Sequence, residues 1–383
     1  MSTTSRSPAK ARITVSAKGF APLRALGIIS GTSMDGIDLA LVETDGAAHV
    51  RPLGGATLPW PEAVHVPLLA VVEQARAQSR DPGPCVGLEV ALTDAFAGAV
   101  RVFLDRHGGP APEVIGLHGQ TVWHRPKDGV TRQLGDGARL AAALGLPVVD
   151  GFRQADVGAG GQGAPLAPLY HAALAGGLAR PLAVLNLGGV GNVTWLGAVG
   201  EVVAFDTGPG SAAMDDLVRA RLGKPFDRDG ALAASGRVDP NLVGAVLASD
   251  FFSTAPPKSL DRNDFHTALS AICGLENTAD ALATLAAVTV ESVAAARAHF
   301  PAPARRWLVC GGGRRNARLM NSLRSVLEVP VDPVEAVGWD GDLLEAQCFA
   351  YLAVRSLRGM PLSLPSTTGV PQPLPGGRLH DPA

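Results

Sequence analysis

Three glycine-rich turns in the sequence each follow an apolar stretch: GTSMDG at 31–36, GGVGN at 188–192 and GGG at 311–313. Glycine lets backbone N–H groups approach phosphate oxygens closely, because no Cβ stands in the way. The ends of strands are also where α/β proteins usually bind their ligands. Each turn alone could be a plain tight turn. Three of them, two in matching hairpins, favour a site for a nucleotide.

The first of these turns also carries side chains suited to phosphate and metal binding. The hydroxyl groups of Thr32 and Ser33 can donate hydrogen bonds to phosphate oxygens. The carboxylate of Asp35 can bind Mg²⁺ directly or through water, since Mg²⁺ prefers oxygen ligands. The alternative for Asp35 is an ordinary turn residue, a frequent use of aspartate before glycine. Asp35 is therefore the candidate metal ligand.

Asp206 is the candidate catalytic base. It follows the apolar run 202–205 and precedes a glycine turn, TGPG, that opens a predicted helix. A carboxylate held there by a rigid strand can accept a proton from an attacking nucleophile. The alternative is a structural aspartate that binds the N–H groups of the turn, and the local sequence does not separate the two.

Several other polar residues are candidates for binding a polar substrate. His118, Gln120 and Thr121 follow a short predicted strand and suit a polyhydroxylated ligand, although a structural histidine is the commoner case. Arg153 could bind a substrate carboxylate in a bidentate manner, or could be a surface arginine. Glu345 lies in an apolar helix, where the sequence alone favours the polar edge of that helix over a position facing a cleft.

The elements that must position these residues form two similar halves. The pattern of apolar strand, glycine-rich turn and apolar strand occurs at 26–42 and again at 183–196, which predicts two related α/β domains facing a cleft. Further predicted strands lie at 114–116, 147–150, 202–205 and 307–310. Predicted helices lie at 88–103, 136–145, 211–222, 282–300, 316–326 and 342–357, with a loop at 255–264 and irregular chain at 361–383.

Length and composition limit the class of protein. A chain of 383 residues with 46% hydrophobic residues is long enough for two cores. A formal net charge of −2 without a basic stripe predicts no nucleic-acid partner. No apolar run is expected to reach the roughly 18 residues of a membrane span. The scattered cysteines, without a CxxC pair, predict free thiols in a reducing compartment; they are Cys85, Cys273, Cys310 and Cys348.

Eight segments in order resemble the anhydro-N-acetylmuramic acid kinase family, and the resemblance covers about residues 26–370. The segments are GIISGTSMDGIDLALVE (27–43), GLHGQTVWHRP (116–126), ADVGAGGQGAPLAP (155–168), LNLGGVGNVT (185–194), FDTGPGSAAMDD (205–216), FDRDGALAASG (226–236), PKSLDRNDF (257–265) and VCGGGRRN (309–316). The third is very specific to the family. This resemblance implies two related domains of the actin-like ATPase (ribonuclease H-like) fold around a nucleotide cleft.

The resemblance also implies domain limits and site residues. Residues 1–22, which lie before the family core, are expected to form a flexible basic tail because they carry Arg6, Lys10, Arg12 and Lys18 and no acidic residue. Residues 23–155 and about 340–383 form domain I, with the first phosphate loop and part of the sugar site, and residues 156–339 form domain II. ATP is bound by Gly31, Thr32, Ser33, Met34, Asp35, Gly36, Ile37, Asp38, Gly188, Gly189, Asn192, Gly208, Gly210, Gly311, Gly312 and Gly313. The sugar is bound by His118, Gly119, Gln120, Thr121, Arg153, Asp156 and Glu345.

By the same resemblance, Asp206 is the catalytic base of a cytoplasmic enzyme that uses ATP and Mg²⁺. The expected reaction opens the bridge of 1,6-anhydro-N-acetylmuramic acid with water and phosphorylates the freed O6. The expected partners are this sugar and ATP, with neither nucleic acid nor membrane and with a possible homodimer. The alternatives are a kinase of the same fold for another anhydro-sugar, such as levoglucosan, and a non-catalytic ATPase. A Walker-type enzyme is excluded because no GxxxxGK[ST] occurs.

Overall fold

Two β-sheets that share an order of five strands organise the chain. The computed structural model describes residues 20–31, 34–260 and 264–382, so most of the predicted tail lies outside the described residues. The strands are β1 Leu23–Ser30, β2 Ile37–Thr44, β3 Val50–Leu58, β4 Val114–Arg125, β5 Val130–Leu134, β6 Val148–Asp150, β7 Leu182–Leu187, β8 Val190–Leu196, β9 Val202–Pro209, β10 Trp307–Cys310, β11 Val331–Pro333 and β12 Arg378–His380.

The helices cover both sheets, and most match the apolar periodicity of the sequence. They are α1 Glu62–Gln78, α2 Val86–His107, α3 Gly137–Leu144, α4 Gln154–Gly158, α5 Pro168–Leu174, α6 Ala212–Leu222, α7 Ala231–Ser235, α8 Pro240–Leu247, α9 Asp250–Ser253, α10 His266–Cys273, α11 Thr278–Ala296, α12 Ala317–Leu327 and α13 Leu344–Leu357. Asp136 caps the start of α3, since its side chain accepts a hydrogen bond from the backbone N–H of Arg139.

The internal repetition predicted from the sequence is confirmed by the sheet topology. The first sheet runs β12-β6-β4-β1-β2-β3, with β5 paired to β4, and the second runs β11-β10-β7-β8-β9. In each sheet the first strand is antiparallel to the second and parallel to the strand on its other side. Each half is therefore an α/β unit that contains the same five-strand order, β6-β4-β1-β2-β3 in the first and β11-β10-β7-β8-β9 in the second, in agreement with the predicted actin-like fold.

Two predicted strands are longer in the structure, and this changes the setting of the candidate residues. His118, Gln120 and Thr121 lie inside β4 instead of after a short strand, because β5 pairs with this extension. Asp206 likewise lies inside β9, which continues to Pro209. The chain end expected to be irregular adds β12 to the sheet edge beside β6. The pairing of β4 with β5 and of β12 with β6 joins residues that are distant in the chain, so these elements could not be predicted from local sequence.

Helix α13 packs on the first sheet, and two glycines allow its close approach. A Cβ at Gly27 in β1 would overlap the carbonyl oxygen of Ala346, and one at Gly116 in β4 would overlap that of Phe349. Helix α5 packs on the second sheet and contacts α13. Tyr170 of α5 donates a 2.8 Å hydrogen bond to Gln347 of α13. These two helices thus form a buried layer between the halves.

The apolar composition of α11 corrects one expectation from the sequence. The helical segment Thr278–His299, found by a search of the described residues, is long and apolar enough by composition to cross a membrane. However, 78% of its most apolar window is buried inside the protein. It is packed against α6, α7, α8 and α12. Burial in the core of the second half accounts for its composition.

Candidate active site

A β-bulge interrupts β9 directly after Asp206. Asn192 of β8 lies opposite Asp206, and the next pair is Gly191 with Gly208, so Thr207 is an extra residue on β9. Such bulges increase local twist and turn a side chain out of the regular pattern of the sheet. Only 9% of Asp206 is exposed to solvent. The bulge is not visible in the sequence, apart from the glycine that follows Thr207.

Burial and one backbone hydrogen bond control the acidity of Asp206. Burial raises the pKa of Asp206 to about 7, the backbone N–H of Leu260 opposes this rise, and the nearby Asp264 adds to it. The Leu260 N–H lies 2.7 Å from Oδ2. A carboxylate with a pKa near the working pH is suited to general base catalysis. Asp206 can therefore accept a proton at neutral pH.

Asp206 is the last of three polar residues that cross the second sheet in one row. Asn186 of β7 lies opposite Asn192 of β8, which in turn lies opposite Asp206 of β9. Directly opposite residues point to the same face of a sheet. With strands about 4.8 Å apart, the row extends over roughly 10 Å. Asn186 was not among the sequence candidates, although it stands in the motif LNLGG.

Glu345 connects this row to the first half of the protein. Asn186 Nδ2 donates a 3.3 Å hydrogen bond to Glu345 Oε1 at the start of α13. The side chain of Glu345 keeps an opening to solvent. The surrounding protein nevertheless displaces water from the carboxylate and so raises the pKa of Glu345, while Arg153 and the hydrogen bond from Asn186 lower this pKa. Glu345 thus faces the cleft between the sheets. The sequence alone had favoured a position at the polar edge of the helix.

A second bulge turns His118 out of the pattern of β4. Ile28 of β1 pairs with Leu117 and Ile29 pairs with Gly119, so His118 is the extra residue. Gly119 has φ +75°, a backbone conformation that favours glycine. The bulge places the imidazole against the ring of Phe349, with centroids 4.4 Å apart.

Both ring nitrogens of His118 have protein partners. Nδ1 lies 2.9 Å from the carbonyl oxygen of Gly119, and Nε2 accepts a 3.0 Å hydrogen bond from Arg153 Nε. Burial and the positive charge of Arg153 hold the pKa of His118 well below its usual range. The imidazole is therefore neutral, with its proton on Nδ1, and it orients Arg153 rather than binding a ligand through a ring nitrogen.

Arg153 is anchored but keeps N–H groups for a ligand. Besides its bond to His118, it donates from Nη1 to the carbonyl oxygen of Gly163 at 2.7 Å. Burial lowers the pKa of Arg153, and Glu345 opposes that shift, but a guanidinium stays charged in proteins. Nη2 and the second N–H of Nη1 have no acceptor among the described residues. These groups form the edge that carboxylates bind in a bidentate manner.

Asp156 shapes the glycine-rich loop beneath Arg153. Its Oδ1 accepts a 2.6 Å hydrogen bond from the N–H of Gly163, and its Oδ2 accepts one of 2.5 Å from Thr368. Only 2% of Asp156 is exposed. The described contacts therefore give this carboxylate a role in fixing Gly163, the second anchor of Arg153.

Two buried polar atoms near the strand ends lack partners. Ser30 of β1 pairs in register with Gln120 of β4, and neither Ser30 Oγ nor Gln120 Oε1 has a hydrogen-bond partner among the described residues. An unpaired buried polar group costs about 1–3 kcal/mol, so such pairs mark a place for water or ligand. Thr121 accepts a hydrogen bond from Gln133. Ser30 precedes the first glycine turn and was not among the residues predicted to form the site.

The first glycine turn brings carboxylates together. Thr32 and Ser33 lie outside the described residues, while Met34 has φ +55° and Ile37 begins β2. Burial raises the pKa of Asp38 to about 6, with Thr57 opposing the shift. Three neighbouring carboxylates raise it further, namely Asp35, Glu345 and Asp342.

This anionic group fits a hard cation such as Mg²⁺, since a cation relieves the repulsion among the carboxylates. Within the described parts of the chain, no three His, Cys, Asp or Glu side chains are arranged to hold a metal by themselves. A Mg²⁺ here would therefore take most of its ligands from phosphates and water, as Mg²⁺ commonly does.

The second glycine turn and the third loop are built by close backbone packing. Gly189 accepts a 3.0 Å hydrogen bond from the N–H of Gly210, and a Cβ at Gly210 would overlap the carbonyl oxygen of Gly188. Ser211 precedes α6 but makes no capping bond to the helix backbone; its Oγ lies 3.4 Å from the carbonyl oxygen of Gly188 and 3.2 Å from Oδ2 of Asp215.

The third loop packs on the end of β7. Gly311 has φ +74°, and a Cβ there or at Gly313 would collide with Leu187. Gly312 begins a 3₁₀ turn that ends at Arg315. Arg314 then forms ion pairs with Glu335 at 2.8 Å and with Asp342 at 2.9 Å, which brings this loop towards the start of α13.

The duplicated sheet, the glycine-rich turns of both halves and the buried Asp206 define an enzyme of the actin-like ATPase and sugar kinase class. A family model described as anhydro-N-acetylmuramic acid kinase matches residues 23–380, and the chain belongs to this family.

Curated relatives agree with this assignment. An anhydro-N-acetylmuramic acid kinase from Acidiphilium cryptum is 51% identical over 360 residues, covering 94% of this chain and 99% of the relative. One from Rhodospirillum rubrum is 54% identical over 354 residues, covering 92% and 93%. A solved ROK family glucokinase from Streptomyces griseus, in complex with glucose and AMPPNP, is 14% identical, covers 86% of this chain and 99% of that chain, and has a TM-score of 0.41. A similarity at this low identity and TM-score does not contribute to the family assignment.

Proposed function

We propose that the protein converts 1,6-anhydro-N-acetylmuramic acid, water and ATP into N-acetylmuramic acid 6-phosphate and ADP, as a step in the recycling of cell-wall material. The observation that carries this proposal is the buried Asp206 carboxylate, which lies next to a bulge of β9 and whose pKa is raised to about 7 by burial. The family name of the close relatives supplies the substrate class.

Asp206 acts as the base for the opening of the anhydro bridge. It takes a proton from a water molecule, whose oxygen forms a bond to the anomeric carbon while the bond from that carbon to O6 breaks. The freed O6 attacks the γ-phosphorus of ATP, and ADP leaves with the electron pair of the broken bond. The 6-hydroxyl does not exist before the bridge opens, so the hydrolytic step must precede or accompany phosphoryl transfer.

Arg153 binds the lactyl carboxylate of the substrate through the N–H groups that its protein partners leave available. His118 and Asp156 hold that guanidinium in place, the first directly and the second through Gly163. The sugar hydroxyl and acetamido groups contact Gln120, Thr121 and Glu345, with Gly119 providing the bulge.

ATP binds with its phosphates at residues 31–38 and 188–192, at Gly208 and Gly210, and with its adenosine near 311–313. Asp35 and Asp38 would hold Mg²⁺ through water, and the ion would neutralise part of the phosphate charge. The proposal keeps the predicted division into domain I (23–155 and about 340–383) and domain II (156–339), which close on the ligands. It also keeps a cytoplasmic location, where ATP is available, and a possible homodimer.

The competing function is phosphorylation of another anhydro-sugar, such as levoglucosan, which carries no lactyl group. A panel of 1,6-anhydro-N-acetylmuramic acid, 1,6-anhydro-N-acetylglucosamine and levoglucosan, each with Mg-ATP, separates the two by kcat/KM. The proposal expects the lactyl-bearing sugar to be the best substrate. A preference for either sugar without the carboxylate would refute it. Release of ADP that no sugar stimulates would favour the non-kinase ATPase instead.

A further inference from the structure

The segment 257–260 holds Asp206 from two sides. The backbone N–H of Asp206 donates to the carbonyl oxygen of Lys258 at 3.0 Å, and the backbone N–H of Leu260 donates to Asp206 Oδ2 at 2.7 Å. Neither bond depends on a side chain of the segment. The position of the carboxylate therefore depends on what keeps this piece of irregular chain in place.

The side chain of Lys258 supplies such an anchor. It is only 8% exposed, and its Nζ donates to the carbonyl oxygens of Phe251 at 2.8 Å and Phe252 at 3.4 Å. Nζ also lies 3.2 Å from Nε2 of His299, which follows α11. The ammonium stands over the ring of Phe251 at 4.5 Å, a favourable cation–π distance.

No carboxylate pairs with this ammonium among the described residues. The described groups that face it are two carbonyl oxygens, one imidazole and two aromatic rings, the second being Phe205, 5.6 Å away and adjacent to Asp206. Burial lowers the pKa of Lys258 to about 8, so the amine is protonated at neutral pH. A buried lysine without a counter-ion is costly, and the active-site segment is what it secures.

We propose that Lys258 is a positioning residue for the reaction, because its buried ammonium ties segment 257–260 to α9 and to His299 so that the Leu260 N–H stays bonded to the Asp206 carboxylate. This inference rests on the proposed function of Asp206 as the base. Lys258 itself touches neither the reacting atoms nor, by this argument, the nucleotide.

The consequence of losing Lys258 has a definite sign. The Leu260 N–H favours the charged form of Asp206 and opposes the effects of burial and of Asp264. Without that bond the pKa of Asp206 rises above about 7. Asp206 is then protonated at pH values at which it is ionised in the wild-type protein. A hydrogen bond to a charged group corresponds to a shift of about one pH unit. The rate would thus fall about tenfold on the acid side and little well above the new pKa.

The test compares kcat between pH 5.5 and 9.5 for the full-length protein and the variant Lys258→Met, with 1,6-anhydro-N-acetylmuramic acid and ATP at saturation. The acid limb is expected to move up by about one pH unit, with the KM for ATP unchanged. Lys224→Met is the matched control, since Lys224 is exposed beyond the end of α6. Lys258→Arg keeps the cation and its donors and is expected to restore most of the wild-type profile.

A purely structural role for Lys258 gives a different result, namely lower activity or thermal stability without a shift of the acid limb, and that result would overturn the proposal. If the Met variant does not fold, Lys258→Gln is used in its place. At least half of the shift of the acid limb is then expected, and an acid limb that stays at the wild-type pH would contradict the proposal. Asp206→Asn separates the two levels. If it remains active, the proposed base itself is wrong, whereas an inactive Asp206→Asn with an unshifted Lys258→Met profile refutes only the positioning role.

Discussion

Replacing Arg153 by alanine should remove selectivity for the lactyl carboxylate. The guanidinium is held by His118 and Gly163, with its remaining N–H groups available to a ligand. Hydrogen bonds between charged partners contribute about 1.5–3 kcal/mol each, which corresponds to a loss of roughly 10- to 100-fold in kcat/KM for one such bond. Because two bonds are available to a bidentate carboxylate, the loss should lie at the upper end of that range.

The assay measures kcat/KM of wild type and Arg153→Ala on two sugars that differ only in the lactyl group, 1,6-anhydro-N-acetylmuramic acid and 1,6-anhydro-N-acetylglucosamine. The variant should lose about 100-fold on the first and less than about threefold on the second, with an unchanged KM for ATP. Arg139→Ala, which removes a surface arginine paired with Asp94, is the control and should affect neither. Equal losses on both sugars would show that Arg153 supports the site without reading the carboxylate.

Three further predictions follow from the same geometry. Asp206→Asn should abolish turnover while calorimetry still detects ATP binding, and in the wild type log(kcat/KM) should fall with unit slope below about pH 7, where Asp206 becomes protonated; a flat profile down to pH 5.5 would contradict this assignment. Asp35→Ala should raise the Mg²⁺ concentration needed for half-maximal rate, and an unchanged Mg²⁺ dependence would exclude Asp35. Gly27→Ala should lower the free energy of unfolding, measured by urea denaturation, by about 1–3 kcal/mol or more, because the added Cβ meets the backbone of α13. An unaltered free energy of unfolding would mean that the helix can shift.

Much of the fold could be predicted because its signals are local or repeated. The two glycine hairpins indicated the duplication that the sheets confirm, and helical periodicity located α2, α11 and α13 to within a few residues. Long-range pairing was not predictable in the same way. The extension of β4 depends on β5, and β12 depends on β6, so neither can be read from its own residues.

In the candidate site, too, features that depend on local sequence were predictable and features that depend on long-range pairing were not. Residue types at turns and after strands indicated Asp206, Arg153 and the phosphate loops. The sequence did not reveal that bulges displace His118 and Thr207, since a bulge is a property of two paired strands. Nor did it reveal that Asn186 contacts Glu345 or that Lys258 contacts His299, because these partners lie far away in the chain.

Mass spectrometry in ¹⁸O-labelled water gives the most direct test of whether bridge opening is coupled to phosphoryl transfer. The protein, Mg-ATP and 1,6-anhydro-N-acetylmuramic acid react for seconds before quenching, and N-acetylmuramic acid 6-phosphate treated identically corrects for exchange at the anomeric carbon. The expected product has gained one phosphoryl group and one labelled water, with one ADP formed per product, and Asp206→Asn is expected to form none. A phosphorylated sugar that still lacks the water, or ADP formed without any phosphosugar, would contradict this coupling.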